Sequence, residues 1–332
     1  MVVEALPEYI FLLKPHENVR YQQSALKLSE QEMRCMLSSR GLEPRVRAGR
    51  FASADYLEVS LDEDCGNLLP FLCTLSCLYL AVIKKQEGFE PVAADVPSFV
   101  PAYMPGVEKY KGKTSPAFTR LLINLALSAS RARQPEMLLL DPVCGRGTTL
   151  FTALTMGISC TGLDRDKNDI AEGIRFAKSF FQYEKISFQT ENSSRTLKKG
   201  SAPQTTFRIK GAEQVREMSF LCADTRDCVP AVKKGSFSLL VADLPYGVQH
   251  APLENKKTDS FAGLLHDALP VWHQALAPGG AAVLAFNRYT LKREALADDL
   301  TKAGFCVLGP PYEGFEHWVE QAIMRDLIVA RA

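Results

Sequence analysis

The sequence predicts an α/β fold with a mostly parallel sheet, preceded by a small α+β domain. Three observations predict it: short apolar runs each end at an acidic residue, a glycine-rich turn follows one of these runs, and helical patterns separate them. The acidic residues are Asp141, Asp164, Asp224 and Asp243. Strands that alternate with helices are typical of a doubly wound, Rossmann-like sheet, and 332 residues leave room for one such domain and a smaller one.

Composition divides the chain into three predicted regions. We expect a small α+β domain at residues 1–88, a linker with four prolines at 89–109, and the main domain at 110–332. Residues 185–216 are too long for an ordinary helix-to-strand connection and form an insertion in the main domain.

Hydrophobic periodicity predicts the elements of both domains. In the small domain these are a strand at 9–13, a helix at 22–37, two short strands within 45–59 and a buried helix at 69–84. In the main domain they are strands at 138–140, 158–163, 218–223, 237–242 and 281–286, helices at 118–130, 167–181 and 227–231, a turn at 276–280, and a final antiparallel pair at 304–309 and 324–330.

The first strand of the main domain runs into the glycine turn. Gly145 and Gly147 follow Asp141 and Pro142, and Thr148 or Thr149 is expected to cap the helix that begins there. Glycines at this position let backbone N–H groups approach a ligand at the carboxyl end of the sheet. Leu150 stands where a dinucleotide-binding site carries its third glycine, which disfavours NAD as the ligand. A nucleoside-triphosphate site is also disfavoured, because no strand leads into a P-loop sequence.

Two further strand ends supply polar groups to the same pocket. Asp164 lies seventeen residues beyond Gly147, where an acid binds ribose hydroxyls, and Asp166 is expected to cap the next helix. The Asp224 carboxylate is expected to accept a hydrogen bond from the exocyclic amine of an adenine in the ligand, and the backbone N–H of Thr225 is expected to face a nitrogen of the adenine ring. The alternative for Asp224 is an N-cap of the following turn.

The fourth strand ends in Asp243, Leu244, Pro245, Tyr246 and Gly247. An amine on a nucleobase is a poor nucleophile because its lone pair is delocalised into the ring. An acceptor pair, here the Asp243 carboxylate and the Leu244 carbonyl, would hold the amine hydrogens and aim that lone pair at an electrophile. Pro245 stiffens the turn, and the ring of Tyr246 offers a surface on which a splayed-out base stacks.

Residues 141–148 resemble the first motif of class I S-adenosylmethionine-dependent methyltransferases that act on amino groups of nucleobases. The resemblance implies S-adenosylmethionine as cofactor, with Asp141, Cys144, Gly145, Gly147 and Thr148 among the residues that bind it. In the resembling family an aromatic residue, a small hydroxyl residue and a proline in the segment 110–119 cap the cofactor pocket, and Thr114, Ser115 and Pro116 match by order. Simple capping of the helix at 118–130 is the alternative for those three residues.

Residues 243–247 resemble the corresponding motif of the THUMP-associated guanine-N2 RNA methyltransferases, because Leu stands where related enzymes carry a second proline and Gly follows the aromatic residue. The small N-terminal domain resembles the ferredoxin-like unit of that family, while no THUMP domain is expected before Tyr110. The resemblance implies methylation of guanine N2 in RNA, either tRNA or rRNA. Adenine-N6 methylation of DNA or RNA, and methylation of a small molecule or protein, are the alternatives.

A net charge of +1 provides no global attraction to nucleic acid, so an RNA partner would be held by local basic patches. One candidate is the set of arginines at 34, 40, 45, 47 and 50, for which a solvated surface is the alternative. Another is the insertion, interpreted as a basic hairpin or as an exposed mobile loop. Arg288, Tyr289, Lys292 and Arg293 lie just past a strand end and are candidates for phosphate contact, with solvated helix residues as the alternative for Lys292 and Arg293. His250 is a candidate for orienting the base, and His317 and Trp318 are expected to pack or to lie at the rim.

The nine cysteines are scattered without CxxC spacing, which is typical of the reducing cytoplasm and disfavours a disulfide framework or a zinc site. No metal is expected. The start of the chain carries acidic residues where a signal peptide would be basic, and no apolar run is long enough for a membrane span. A small activating subunit and a homodimer both stay open as further partners.

Overall fold

The computed structural model describes residues 8–15, 19–43, 45–60, 66–92, 96–197, 200–245 and 261–332. Two sheets organise these residues, a five-stranded one and a ten-stranded one. The predicted residues Tyr246, Gly247 and His250 lie outside the described residues, as do Lys198 and Lys199 of the insertion. None of the helices described has both the length and the apolar character needed to cross a bilayer.

The N-terminal unit is an antiparallel sheet with one long helix against it. Its elements are β1 (Glu8–Leu13), α1 (Val19–Ser38), β2 (Arg45–Phe51), β3 (Ala54–Ser60), α2 (Leu69–Leu72), β4 (Leu78–Lys85) and β5 (Gly88–Pro91). The strand order is β2-β3-β1-β4-β5. Met33, Met36 and Leu37 of α1 pack against Phe11 and Leu57 of the sheet, so one face of the sheet is buried.

The predicted helix at 69–84 is wrong. The helix α2 ends at Leu72, and β4 takes the second half of the apolar run. The hydroxyl of Thr74 donates to the carbonyl of Phe71 at 2.7 Å, which favours a turn over continued helix. Val82 and Ile83 are β-branched and pair with β1, so tertiary pairing overrides a helical pattern in a short apolar run.

The segment predicted as a linker is partly built into the protein. Strand β5 pairs with β4 and therefore belongs to the first sheet. Within the same segment lies the short helix α3 (Met104–Val107), and Val100 and Met104 are buried in the core of the larger unit. Apolar side chains at these positions explain why the proline-rich stretch packs instead of remaining solvated.

The larger unit alternates strands and helices as predicted. Its elements are α4 (Pro116–Ala129), β6 (Leu138–Asp141), α5 (Thr148–Thr155), β7 (Ser159–Asp164), α6 (Lys167–Tyr183), β8 (Phe188–Thr196), β9 (Ser201–Lys210), β10 (Val215–Cys222), α7 (Cys228–Ala231), β11 (Phe237–Asp243), α8 (Phe261–Ala275), β12 (Leu276–Asn287), α9 (Arg293–Lys302), β13 (Cys306–Val307), β14 (His317–Glu320) and β15 (Ile323–Arg331). The turn predicted at 276–280 lies inside β12, with an irregular register there.

The strand order is β13-β15-β12-β11-β6-β7-β10-β9-β8, with β14 on β15. The strands from β12 to β10 along this order are parallel, and β15 is antiparallel to β12, which confirms the Rossmann-like class and the antiparallel C-terminal pair. The chain proceeds from β6 toward β7 on one side and later places β11 on the other. This reversal creates a crevice at the carboxyl ends of β6 and β11, where α/β proteins bind ligands.

Helices cover both faces of the parallel strands. Leu139 belongs to the core shared with α4, α5 and α6, whereas the next residue, Leu140, belongs to the core shared with α7, α8 and α9. Because successive strand residues point to opposite faces, strands buried on both sides need continuous apolar runs. This requirement explains the leucine run that precedes Asp141.

The insertion forms a β-hairpin, so the mobile-loop alternative is wrong. Strand β9 pairs with β10 and β8 pairs with β9, both antiparallel, which extends the main sheet at its edge. Phe207 and Ile209 are fully buried and fix the hairpin to the core. Gln204 lies beside Leu221 near the carboxyl end of β10, so the hairpin end at Thr196 and Ser201 lies at the same edge of the sheet as the crevice.

Helix α1 of the N-terminal unit packs on α4 of the larger unit. Glu32 is fully buried and accepts hydrogen bonds from the backbone N–H of Ser76 at 3.1 Å and from Asn124 Nδ2 at 2.7 Å. Nearer the start of α1, Lys27 Nζ donates to the carbonyl of Glu316 at 3.2 Å. These contacts fix the two units against each other.

Candidate active site

The glycine turn begins α5 at the crevice. Gly145 and Gly147 have φ values of +51° and +93°, a region that favours glycine. A Cβ atom on Gly147 would lie 2.8 Å from the ring of Phe220, so the site also requires its small size. The helix is capped by the backbone of Gly147, which corrects the prediction of a threonine cap. Thr148 and Thr149 are instead the first helical residues, and both are buried.

Asp141 lies at the base of the turn and is 2% exposed. Its carboxylate accepts from the backbone N–H of Val143 at 3.0 Å and from the side chain of Thr149. Burial raises the pKa of Asp141 to about 7, and the nearby carboxylates of Asp164 and Asp243 act in the same direction. Cys144 is buried beside them, and burial also raises the pKa of its thiol.

Asp164 joins the end of β7 to the glycine turn. One carboxylate oxygen accepts from the backbone N–H of Gly145 at 2.9 Å, and the other accepts from that of Asp166 at 2.9 Å. Burial raises the pKa of Asp164, while these two hydrogen bonds oppose the shift. Asp166 caps α6 through the backbone N–H groups of Asn168 and Asp169, as predicted.

A segment before α4 closes over the turn. The hydroxyl of Tyr110 lies 3.2 Å from Thr148 Oγ1, and the guanidinium of Arg146 lies 4.7 Å from the centroid of the Tyr110 ring. Arg146 also pairs with Asp169 at 3.0 Å. The sequence predicted an aromatic residue in this segment without assigning it to Tyr110, and it gave Arg146 no role, although a cation inside the Gly-x-Gly turn was the available signal.

Asp243 lies across the crevice from the glycine turn. The hydroxyl of Thr114 donates a hydrogen bond to Asp243 Oδ2, so the segment that includes Pro116, the first residue of α4, reaches the predicted catalytic residue. The backbone N–H of Leu244 donates to the carbonyl of Ala285 at 2.9 Å, and the Leu244 side chain is buried. The turn is therefore anchored on its Leu244 side, while Pro245 is exposed.

Asp224 has the capping role given as its alternative. Its Oδ1 accepts from the backbone N–H of Arg226 at 2.9 Å, and both carboxylate oxygens accept from the Arg226 guanidinium at 3.0 Å. Burial would raise the pKa of Asp224, but the hydrogen bonds and charge of Arg226 lower it below its usual range. Thr225 is buried and accepts from Trp272 Nε1 at 2.9 Å. The cofactor role of Asp224 and Thr225 stays a prediction.

Several rim candidates have structural partners. Arg293 pairs with Asp326 at 3.2 Å and donates to the carbonyl of Leu327, so it belongs to the fold and not to an open rim. His317 is 5% exposed, and burial lowers its pKa to about 4, which confirms a packing role. Arg288 pairs with Glu316, and Tyr289 is 60% exposed at the same strand end.

The site has the properties that a cationic methyl donor requires. Asp141, Asp164 and Asp243 place negative charge around the crevice, and S-adenosylmethionine carries a sulfonium and an ammonium group. The left-handed backbone at Gly145 and Gly147 lets the N–H groups of the turn approach a ligand, while Gly147 itself packs against the Phe220 ring. Among the residues described, no cluster of three or more metal-ligating side chains is present. The fold and the site together define a class I methyltransferase.

A family model for the RMKL-like methyltransferase domain matches residues 109–303, more than half of the chain. The chain therefore belongs to this methyltransferase family, and S-adenosylmethionine is its cofactor. The match includes both the glycine turn and the Asp243 motif.

Among solved structures, TrmN from Thermus thermophilus aligns over 87% of this chain and 59% of its own, at 19% identity and a TM-score of 0.42. A TehB-like methyltransferase from Corynebacterium glutamicum aligns over 59% and 81% at 15% identity, with a TM-score of 0.36. An rRNA methylase from Streptococcus thermophilus aligns over 60% and 87% at 11% identity, with a TM-score of 0.35. This chain spans less than two thirds of the TrmN chain. No curated protein sequence matches it.

Proposed function

We propose that this methyltransferase transfers a methyl group from S-adenosylmethionine to the exocyclic N2 amine of guanine in RNA. The observation that carries the proposal is the position of Asp243. This carboxylate ends β11, directly across the switch point from the glycine turn that follows β6, and Thr114 donates a hydrogen bond to it. A hydrogen-bond acceptor beside the cofactor crevice is what an amine substrate needs, because the acceptor both binds the amine and directs its lone pair.

Four residues of the site have a part in this reaction. When bound, S-adenosylmethionine supplies an electrophilic methyl group. Asp243 and the carbonyl of Leu244 accept the two hydrogens of the guanine amine, and Asp243 takes up the proton that leaves after transfer. Thr114 fixes one carboxylate oxygen of Asp243 and so restricts the rotation of the acceptor. Asp164 orients the cofactor ribose from the end of β7.

The choice of guanine N2 rests on the resemblance carried by residues 243–247, in which Leu244 replaces a proline and Gly247 follows the aromatic residue. The choice of RNA also draws on Arg195, a cation near the end of β8 at the carboxyl edge of the sheet. Single-stranded or looped RNA presents a base that can be splayed out toward such an acceptor.

The test is methyl transfer from tritiated S-adenosylmethionine into unmodified RNA transcripts and into DNA, followed by nucleoside digestion and mass analysis. Label recovered as N2-methylguanosine is the expected result. Label in N6-methyladenine would replace the proposed substrate with the adenine alternative, and label in neither polymer would refute a nucleic-acid substrate.

Two variants make the test specific to the mechanism. Asp243→Asn keeps the size and shape of the side chain but replaces one acceptor oxygen with an NH2 group, which cannot accept an amine hydrogen or take up a proton. We therefore expect at least about a hundredfold loss of kcat, on the order of what a general acid–base group contributes. Asp298→Asn changes an exposed aspartate of α9 and should retain parent activity. Parent activity in Asp243→Asn would refute the proposed role of the carboxylate.

A further inference from the structure

The face of the N-terminal sheet that points away from α1 carries a row of cationic and aromatic side chains along its edge strand. Because side chains alternate along β2, Val46 points into the core, while Arg45, Arg47 and Phe51 point outward. Gly49 occupies the remaining outward position, and the ring of Tyr56 lies over it; a Cβ on Gly49 would be 2.4 Å from Tyr56 Cζ. From the Arg45 end, the row therefore consists of two cationic side chains followed by two aromatic rings.

These side chains are available for a ligand. Arg45 and Arg47 are exposed, and within the described residues neither forms an ion pair. The acid opposite Arg47 on the neighbouring strand is Glu58, which is 17% exposed and pairs with Lys84 at 3.1 Å. Phe51 is 78% exposed. An aromatic ring this exposed stabilises little in the monomer but offers a face on which a base can stack.

The other arginines of the predicted cluster have different roles. Arg34 pairs with Glu30 at 2.8 Å, and Arg50 pairs with the buried Asp55 at 2.6 Å. The guanidinium of Arg40 lies 4.5 Å from the ring centroid of Phe71. The predicted phosphate-binding surface therefore reduces to Arg45 and Arg47, joined by two aromatic residues that the sequence pattern did not select.

A series of contacts connects the Phe51 end of the row to the rim of the methyl-transfer crevice. Asp55, at the tip of the β2–β3 hairpin, accepts from Gln22 of α1 at 2.8 Å. Lys27, about 8 Å further along that helix, bonds to Glu316. Glu316 pairs with Arg288, the first residue after β12. Strand β12 pairs with β11 at Asp243, so this series of contacts connects the hairpin to the rim of the active site.

We propose that Arg45, Arg47, Tyr56 and Phe51 form a binding surface for single-stranded RNA, which holds the part of the substrate that flanks the methylated nucleotide. The proposal rests on the proposed RNA methyltransferase function. Guanidinium groups bind the phosphates, and the two rings stack bases, a combination that recognises unpaired RNA without requiring a particular sequence. We name this set the β2 surface.

Fluorescence anisotropy with a labelled 12-nucleotide oligouridine tests the β2 surface directly. Phe51→Ser should weaken binding at least about fivefold, the lower range for loss of one stacked base. The double variant Arg45→Ser/Arg47→Ser should lower the slope of log Kd against log salt by about 1.4, since each phosphate contact of a single strand contributes about 0.7. A duplex RNA of equal length should bind more weakly than oligouridine to the parent protein.

Two matched controls separate this effect from general changes in surface chemistry. Tyr183→Ser removes an aromatic side chain that is 83% exposed at the end of α6, and Arg175→Ser removes an arginine whose side chain is 72% exposed on the same helix. Both should bind oligouridine like the parent. Equal affinity of the parent and Phe51→Ser, an unchanged salt slope in the double variant, or equal losses in the controls would each overturn the proposal.

Methyl-transfer kinetics on a guanosine-containing oligonucleotide distinguish failure of this proposal from failure of the proposed function. If the parent methylates guanine N2, Phe51→Ser should raise KM at least about fivefold with kcat unchanged. A parent that methylates no RNA would refute the proposed function, while the anisotropy result would still decide whether the β2 surface binds RNA.

Discussion

Glu32 is a carboxylic acid buried between the N-terminal unit and α4, and its replacement by glutamine should stabilise the protein in alkaline solution. Desolvation by burial raises the pKa of Glu32 to about 7 from 4.5, although hydrogen bonds from Asn124 and Ser76 and the charge of Arg120 oppose the shift. Between these two values the folded state binds one proton more than the unfolded state. The free energy of unfolding therefore decreases as pH rises from about 4.5 to 7 and stays lower above that range.

The size of the effect follows from the shift. Each pKa unit corresponds to about 1.4 kcal/mol, so moving from 4.5 to about 7 corresponds to about 3 kcal/mol. Glutamine has no charge to desolvate and can keep the local hydrogen bonds. Its oxygen can accept from Ser76 N and Asn124 Nδ2, and its amide can donate to Ser76 Oγ, which in the parent donates to Glu32 at 2.5 Å.

Urea unfolding followed by circular dichroism between about pH 5 and pH 9 measures this difference. Glu32→Gln should match the parent near pH 5 and exceed its free energy of unfolding by about 3 kcal/mol near pH 8.5. Glu30→Gln is the matched control, because Glu30 lies two residues away on α1 in a partly exposed pair with Arg34 and should leave the pH dependence unchanged. A Glu32→Gln variant that is less stable than the parent near pH 8.5, or equally pH-dependent, would refute the reasoning.

Three other changes address the active site. Gly147→Ala should abolish detectable S-adenosylmethionine binding in calorimetry and lower the free energy of unfolding by about 1–3 kcal/mol. The reason is that φ at this residue is +93° and the new Cβ would meet the Phe220 ring. Gly309→Ala is the control and should bind S-adenosylmethionine normally, because a Cβ there meets nothing within 4 Å. Thr114→Val should lower kcat about tenfold with little change in KM, because the Thr114 hydroxyl orients Asp243. Thr114→Ser keeps the hydroxyl and should have the kcat of the parent. Equal losses of kcat in both variants would contradict that role. Burial raises the pKa of Asp141 to about 7, and a cationic ligand favours the ionised carboxylate. Affinity for S-adenosylmethionine should therefore increase from about pH 6 to pH 8. The increase should be steeper than for S-adenosylhomocysteine, which lacks the sulfonium charge. A flat affinity profile for both ligands would count against the negative crevice, and Asp141→Asn should flatten the profile of the parent.

The signals that predicted the fold are local. A leucine run ending at Asp141, glycines at 145 and 147, and acids at the ends of three later strands all reflect the requirements of a strand, a tight turn or a strand end. These residues lie together in the structure because the carboxyl ends of parallel strands share one edge of a sheet. The class of fold and the place of the crevice could therefore be predicted without tertiary information.

Features that depend on distant partners could not be predicted in this way. The apolar run after Leu68 is compatible with a helix until its pairing with β1 is known. Tyr110 became part of the site because the chain before α4 folds back over Arg146.

The sequence by itself determined the α/β methyltransferase class, the glycine turn at 141–148 and the carboxylate of Asp243 at the end of a strand, because each depends on residue types at fixed local spacing. Only the tertiary structure decided that Thr114 bonds to Asp243, that Glu32 is buried between two units, and that contacts through α1 connect the N-terminal unit to the rim of the crevice. Those properties arise from contacts between residues far apart in the chain, whose energies are set by packing and burial rather than by local sequence.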